Sequence, residues 1–296
     1  MYKPISITNF IGQKPIIYDL AVNYSAIERN TSLGHTLLTG PPGLRKTTLA
    51  KVIAKDLGNH FIFSTGTNLN KKSDIEAILF NLGLRDVWFI DEIHAFKKYQ
   101  ELLYSPMQDF HYEGRPLQRF TLIGATTTAG TLSKPLLDRF INIYEFQLYT
   151  VKELMEILWF VGEELKFGEN VCKFLAERSK GIPRLAINLA TKVSNQAVFD
   201  GSTIEEACIK VTKRLEIDNL GLNPTDRKIL KFLLTHRAFD LHTAIGEEVL
   251  SMGLNIDEKD LVYIHESWLI YIGFIMRTPR GRIITDLGIK YVNSFK

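Results

Sequence analysis

The chain has 296 residues, 45% of them hydrophobic and 23% charged, which is ample for a buried core and excludes disordered, collagen-like and low-complexity classes. The net charge of +3 neither demonstrates nor excludes a nucleic-acid partner, and the two isolated cysteines, Cys172 and Cys208, fit neither a disulfide scaffold nor a cysteine-based zinc module. No apolar run approaches the ~18 residues of a membrane span and no secretory leader is evident at Met1, so the expectation is a cytoplasmic protein with no membrane association.

In chain order, Thr36-Leu37-Leu38-Thr39 predicts a short buried strand, followed by a glycine-rich turn and a helix over 48–57. Phe61 to Ser64 reads as a strand and Ser73 to Leu82 as a helix. Val87 to Ile90 and Phe120 to Gly124 are further all-apolar strands. Short apolar strands separated by helices predict a parallel sheet covered on both faces. After Tyr149 the strand pattern stops. Helices are predicted over 151–165, 168–180, 183–200 and 203–215, broken at Gly181 and at Asp200-Gly201. Helical stretches over 224–235 and 257–267 then precede Trp268 to Met276, an aromatic and β-branched run. A basic turn, Arg277-Thr278-Pro279-Arg280-Gly281-Arg282, leads into strand-like Ile283 to Thr285. Helices followed by a two-stranded ribbon make a winged-helix pattern. The division expected is 1–149, 150–217 and 218–296.

Gly40-Pro41-Pro42-Gly43-Leu44-Arg45-Lys46-Thr47 stands between a buried strand and a helix, the context of a P-loop that wraps phosphates with backbone N–H groups. Lys46 would reach the β/γ-phosphates of ATP and the Thr47 hydroxyl would bind Mg²⁺. Arg45 departs from the strict pattern, which has glycine before the lysine because the backbone passes close to phosphate. Asp91-Glu92 closes an apolar strand, where Asp91 would hold Mg²⁺ and Glu92 would polarise the attacking water. His94 nearby reads as a surface or packing histidine. Thr126 and Thr127 either touch the γ-phosphate or the attacking water, or cap a turn. Arg139, in Asp138-Arg139-Phe140, is either a surface residue or an arginine finger reaching a neighbouring subunit. Arg277, Arg280 and Arg282 crowd one turn, which either contacts DNA phosphates or is a solvated basic hairpin tip.

Taken together, Phe10-Ile11-Gly12-Gln13, the P-loop, Phe89 to His94, Phe120 to Thr127, Asp138-Arg139-Phe140, Pro183-Arg184 and Arg277 to Arg282 resemble the RuvB family of AAA+ motors over nearly the whole chain. The resemblance implies an α/β P-loop AAA+ ATPase domain, a helical lid and a C-terminal winged helix. It implies an ATP-dependent DNA motor driving Holliday junction branch migration in recombination and repair. Such a motor acts on duplex DNA as a hexameric ring, with RuvA and RuvC as partners. ATP and Mg²⁺ would be bound with Gly43, Lys46, Thr47 and Thr48, and Tyr2, Lys3, Ile11 and Gly12 would lie along the adenine. Gln108, Asp109 and Phe110 would stand near a neighbouring nucleotide. Arg139 would be the finger, Thr126 or Thr127 the first sensor, Arg184 the lid's sensing arginine, and Tyr149 would lie against nucleotide. Arg277 and Arg282 match the wing arginines that contact DNA, with Arg280 between them.

The chain departs from the family at Arg45, at Leu137, where a second arginine is usual, and at His111–Arg119, where the family carries a longer hairpin that docks RuvA. These departures leave as alternative a nucleotide-responsive DNA-binding scaffold with weak or no hydrolysis. A clamp-loader subunit shares the ATPase core, but the basic winged tail speaks against it.

Overall fold

The computed structural model describes residues 4, 6–27, 32–96, 98–162, 167–237 and 244–294. The chain forms two compact units, Met1–Tyr149 and Thr150–Lys296, and the boundary expected near 217 falls inside the second.

In the first unit, helix α1 (Lys14–Ile27) precedes strand β1 (Thr36–Thr39), α2 (Lys46–Asp56), β2 (Phe61–Thr65), α3 (Lys72–Asn81) and β3 (Val87–Asp91). Helix α4 (Tyr104–Asp109), a small hairpin of β4 (His111–Tyr112) and β5 (Arg115–Pro116), β6 (Thr121–Thr126), α5 (Lys134–Leu137) and β7 (Asn142–Glu145) follow. The five long strands form one sheet in the order β2-β3-β6-β1-β7, every neighbouring pair parallel. β1, β6 and the first four residues of β3 are buried at every position, which explains their mostly apolar sequences, with threonines at the ends of β1 and β6. Two features therefore come together at the carboxyl edge. Thr39, just before the P-loop, pairs with Thr126, and Ile90, just before Asp91, pairs with Gly124. The sheet brings the phosphate loop, the acidic pair and the threonine pair to one place.

His35 fastens the opposite, amino-terminal edge of the sheet, just ahead of β1 and beside the start of β6. Its Nδ1 accepts the Leu122 N–H at 2.9 Å, so its Nε2–H donates to the Met107 carbonyl, also at 2.9 Å. Burial pushes its pKa down to about 4, against a weaker pull from the Met107 bond, and the ring is neutral. The β4–β5 hairpin turns through Glu113 and Gly114, both at positive φ (+47° and +77°), as a two-residue hairpin with a right-handed twist requires.

The second unit is helical at first: α6 (Val151–Gly162), α7 (Glu169–Glu177), α8 (Pro183–Asp200) and α9 (Ile204–Arg214). Pro183 begins α8 where its missing N–H costs nothing, and Gly201 ends it at φ +67°. Thr203 and Glu206 close a reciprocal capping box on α9. Then come α10 (Pro224–Arg237), α11 (Glu247–Leu254), α12 (Glu258–Asp260), a π-helical segment Leu261–Glu266, α13 (Ser267–Tyr271), strands β8 (Ile275–Thr278) and β9 (Gly281–Ile284), and α14 (Asp286–Asn293). β8 and β9 are antiparallel, and Ile245 bridges to Arg282 as a short third strand. This is a winged helix. Its core gathers Leu230, Leu233, Leu250, Leu269, Ile275 and Ile284.

Two expectations are corrected here. The run Trp268 to Met276 is not one extended segment: it stays helical to Tyr271 and becomes strand only at Ile275. Trp268 and Tyr271 stack at helical spacing, and Leu269 is wholly buried, so packing overrides β-propensity. The basic segment is also mostly strand. Arg277 pairs with Arg282 and Thr278 with Gly281, leaving Pro279-Arg280 as the turn.

One buried charge joins the first helices of this unit to the winged fold. Asp226 on α10 is fully buried and takes Lys180 Nζ at 2.5 Å, His265 Nδ1 at 2.6 Å and the Asn223 N–H at 2.8 Å. Burial alone would raise its carboxyl pKa, but the His265 bond and the Lys180 charge outweigh it and hold it below the usual carboxylate range.

Candidate functional site

The P-loop is built from residues that can take left-handed or extended backbone. Gly40 stands at φ +124°, and a Cβ there would lie 2.8 Å from the Phe146 carbonyl oxygen. Arg45, where the motif has glycine, holds φ +74° and ψ +26°, the left-handed conformation a glycine would adopt. Its guanidinium packs 5.4 Å over the Phe10 ring. Helix α2 begins at the next residue, so its amino-terminal dipole end points into the loop. Lys46 is buried, and its ammonium folds over the loop to donate to the Gly40 and Pro41 carbonyls at 2.7 and 2.9 Å.

Thr47 and Asp91 meet at the mouth of the loop, with Thr47 Oγ1 donating to Asp91 Oδ2 over 3.3 Å. A hydroxyl and a carboxylate are hard oxygen ligands, the donor set that suits Mg²⁺ bound together with phosphates. Asp91 Oδ1 accepts the Glu92 N–H at 3.1 Å, which steers the next residue into left-handed backbone at φ +50°. The Glu92 side chain is 47% exposed, and His94 Nε2 approaches its Oε2 to 3.2 Å. The opposite ring nitrogen, Nδ1, lies 3.0 Å from Thr126 Oγ1. Thr126 is fully buried and Thr127 half-buried, so the structure separates the two threonines that the sequence left equivalent. Thr48 is half-buried in the first turn of α2.

Gly12 stands at φ +81° against the Tyr149 ring, where a Cβ would come within 2.4 Å of Cε1. The Tyr149 hydroxyl donates to the Leu44 carbonyl at 3.3 Å. Ile11 is half-buried beside them. Tyr2 and Lys3 lie outside the described residues.

Arg139 stands at the end of α5, apart from the P-loop residues. Its Nε donates to the Tyr104 carbonyl at 3.1 Å, Nη1 to the Pro135 carbonyl at 2.6 Å and Nη2 to Gln108 Oε1 at 3.0 Å. The guanidinium also lies 4.5 Å over the Tyr104 ring. Arg139 and Gln108 thus form one cluster, with exposed Asp109 and half-buried Phe110 just beyond. Arg184 is exposed at the second residue of α8.

In the wing, Arg277 and Arg280 are exposed. Arg282, also expected among the DNA contacts, is buried. Its side chain is 6% exposed, and Nη2 donates to Glu266 at 2.7 Å and to Glu247 at 2.8 Å. A guanidinium committed to two carboxylates below the strand is a brace for the wing. Arg277, opposite it, has its Nε 3.6 Å from Glu266 Oε1 while remaining open to solvent.

Sequence reasoning missed the bridging role of His94 and the supports that Phe10 and Tyr104 give the two arginines. For His94 the available signal was its place one short turn beyond a carboxylate that ends a buried strand.

With the geometry in hand, the relatives speak to it. Residues 2–146 match the Holliday junction DNA helicase RuvB P-loop domain, and residues 219–293 the RuvB C-terminal winged helix domain. A Holliday junction branch migration complex subunit RuvB of Pseudothermotoga lettingae is 38% identical, over 98% of this chain and 89% of that one. Its counterpart in Ehrlichia ruminantium is also 38% identical, over 98% and 92%. The solved structure of the Thermotoga maritima RuvB Holliday junction branch migration motor superposes with a TM-score of 0.89 at 39% identity, covering 98% of each chain.

Proposed function

The chain belongs to the RuvB family, and from that premise we propose that it is an ATP-dependent motor that drives branch migration of Holliday junctions on duplex DNA. The observation that carries this reading is the Thr47–Asp91 contact, which joins the phosphate loop to the acidic strand end across the sheet.

In this reading the P-loop N–H groups and Lys46 hold the phosphates of ATP, with Gly43 giving the loop room. Thr47 and Asp91 hold Mg²⁺, which neutralises phosphate charge when bound. Glu92 orients and polarises the attacking water. Thr126, rather than Thr127, is the sensing residue, because it is the one tied to Glu92 through His94. On family grounds Tyr2, Lys3, Ile11, Gly12 and Tyr149 are assigned to the adenine, and Thr48 supports the loop. Arg139, held in place by Gln108, acts on the nucleotide of the next subunit, which requires a head-to-tail ring. A hexamer is proposed on family grounds. Residues 150–217 are read as the lid, with Arg184 as its nucleotide-sensing arginine, and 218–296 as the DNA-binding head. Arg277 and Arg280 contact backbone phosphate with little sequence preference.

RuvA and RuvC are the partners proposed by family membership, with RuvA docking weakened because the β4–β5 hairpin is cut to two residues per strand. A non-hydrolysing scaffold finds little support, since Arg45 already takes the backbone conformation the P-loop needs.

The test is branch migration of a synthetic four-way junction with Mg-ATP, using Lys46→Ala as control. Movement by the wild-type chain and none by the variant supports the motor. ATP hydrolysis that is absent from both, with junction binding intact, would favour the scaffold.

A further inference from the structure

Thr126, His94 and Glu92 form a continuous line from the end of β6 to the end of β3, at 3.0 Å and 3.2 Å. We propose that His94 is a positioning residue for hydrolysis, carrying the hydrogen-bonding state of Thr126 to the Glu92 carboxylate. The proposal rests on the ATPase reading above and deepens it.

The direction of the line follows from counting protons. Thr126 Oγ1 accepts the Thr128 N–H at 3.0 Å and is buried away from water, so its one hydroxyl proton is available to His94 Nδ1. With Nδ1 accepting, the neutral ring carries its proton on Nε2, the atom facing Glu92. Each donor is then used once: Thr128 to Thr126, Thr126 to His94, His94 to Glu92. The rigid ring spans the two strand ends, and its side chain is only 15% exposed, so it cannot swing away as a longer chain would.

The consequence concerns Glu92. Its carboxylate is half in solvent on a left-handed residue, and the His94 ring is the contact that restrains the side chain's free end. If Thr126 turns its hydroxyl toward a phosphate oxygen, Nδ1 loses its donor and the proton facing Glu92 is no longer fixed on Nε2. Occupancy at the sensing strand is thereby read at the water-orienting carboxylate without any movement of the backbone.

The experiment is steady-state ATP hydrolysis by the full chain with Mg²⁺, with and without duplex DNA. His94→Phe keeps a ring in the same space but offers no nitrogen, and it should lower kcat by about tenfold or more while KM stays within about twofold. His94→Gln offers an amide oxygen toward Thr126 and an amide N–H toward Glu92, and it should recover most of the loss. Thr126→Val combined with His94→Phe should be no slower than Thr126→Val alone, because both cut one line. A non-hydrolysable ATP analogue should bind the His94→Phe protein as it binds wild type. Wild-type kcat in His94→Phe, equal losses in the Phe and Gln variants, or multiplied losses in the double variant would overturn the proposal while leaving the ATPase reading standing. A wild-type chain that does not hydrolyse ATP would overturn both.

Discussion

The Arg45 guanidinium lies 5.4 Å over the Phe10 ring while its backbone holds φ +74°. Left-handed backbone costs a non-glycine residue roughly 1–2 kcal/mol, and a cation–π contact at a partly exposed site returns about 0.5–1. The contact offsets about half of that cost, which helps an arginine persist at a glycine position.

Replacing Arg45 with glycine should therefore leave stability within about 1 kcal/mol of wild type. It should raise ATP turnover, because the long stem leaves the tightest part of the loop. Steady-state ATPase with a parallel thermal melt checks both. Equal turnover in the two proteins would mean that the side chain, folded onto Phe10, never obstructs the phosphates.

Arg139 makes three hydrogen bonds within its own chain, yet the proposed role lies in trans. Arg139→Ala should lower kcat by about 10³-fold or more with nucleotide binding retained. Mixing is the sharper measurement. Arg139→Ala subunits keep Lys46, and Lys46→Ala subunits keep Arg139, so the mixture should regain activity that neither has alone. No recovery in mixed assemblies would place Arg139 in cis.

The wing arginines should separate by experiment. Arg277→Ala and Arg280→Ala should each weaken duplex binding and reduce its salt slope by about one, leaving the melt unchanged. Arg282→Ala should instead destabilise the protein, by up to about 3–5 kcal/mol, because buried Glu266 loses its 2.7 Å partner and keeps only the exposed Arg277 at 3.6 Å. Competition binding at several salt concentrations, with urea unfolding of each variant, distinguishes the two behaviours. A stable Arg282→Ala protein with lost DNA affinity would restore Arg282 to the DNA-contacting set.

His35 sets a pH dependence on the first unit. Its folded pKa of about 4 lies below the unfolded value of about 6.5, so the unfolded chain binds a proton that the folded chain refuses. The contribution is fully present above about pH 6.5 and is lost as pH falls toward 4, amounting to about 3 kcal/mol. Chemical denaturation between pH 7 and 4 should show the falling midpoint, and His35→Gln should flatten the profile. An unchanged midpoint across that window in wild type would refute it.

The sequence made β1, β3 and β6 legible because these strands are buried and mostly apolar, whereas β7, with its alternating exposure, gave no such signal. It made the P-loop and acidic pair legible because phosphate and metal chemistry restrict residue type at fixed spacing. It could not separate Thr126 from Thr127, since burial is a property of the folded strand end. It could not place Arg282, which has the residue type of a phosphate contact. Only the chain folding Glu247 and Glu266 beneath the strand turns that guanidinium inward. Trp268 to Met276 misled for a related reason, since β-branched and aromatic side chains also fill helix-packed cores.

Asp226 has so far been a matter of charge and burial, but it also bears on mechanics. A carboxylate clasped by Lys180 on one side and His265 on the other cannot be sheared without leaving a charge out of water. The chain before α10 and the winged fold after it are therefore joined by something closer to a rivet than a pivot. Force delivered to the helices of α6–α9 would reach the wing without being spent on bending the joint.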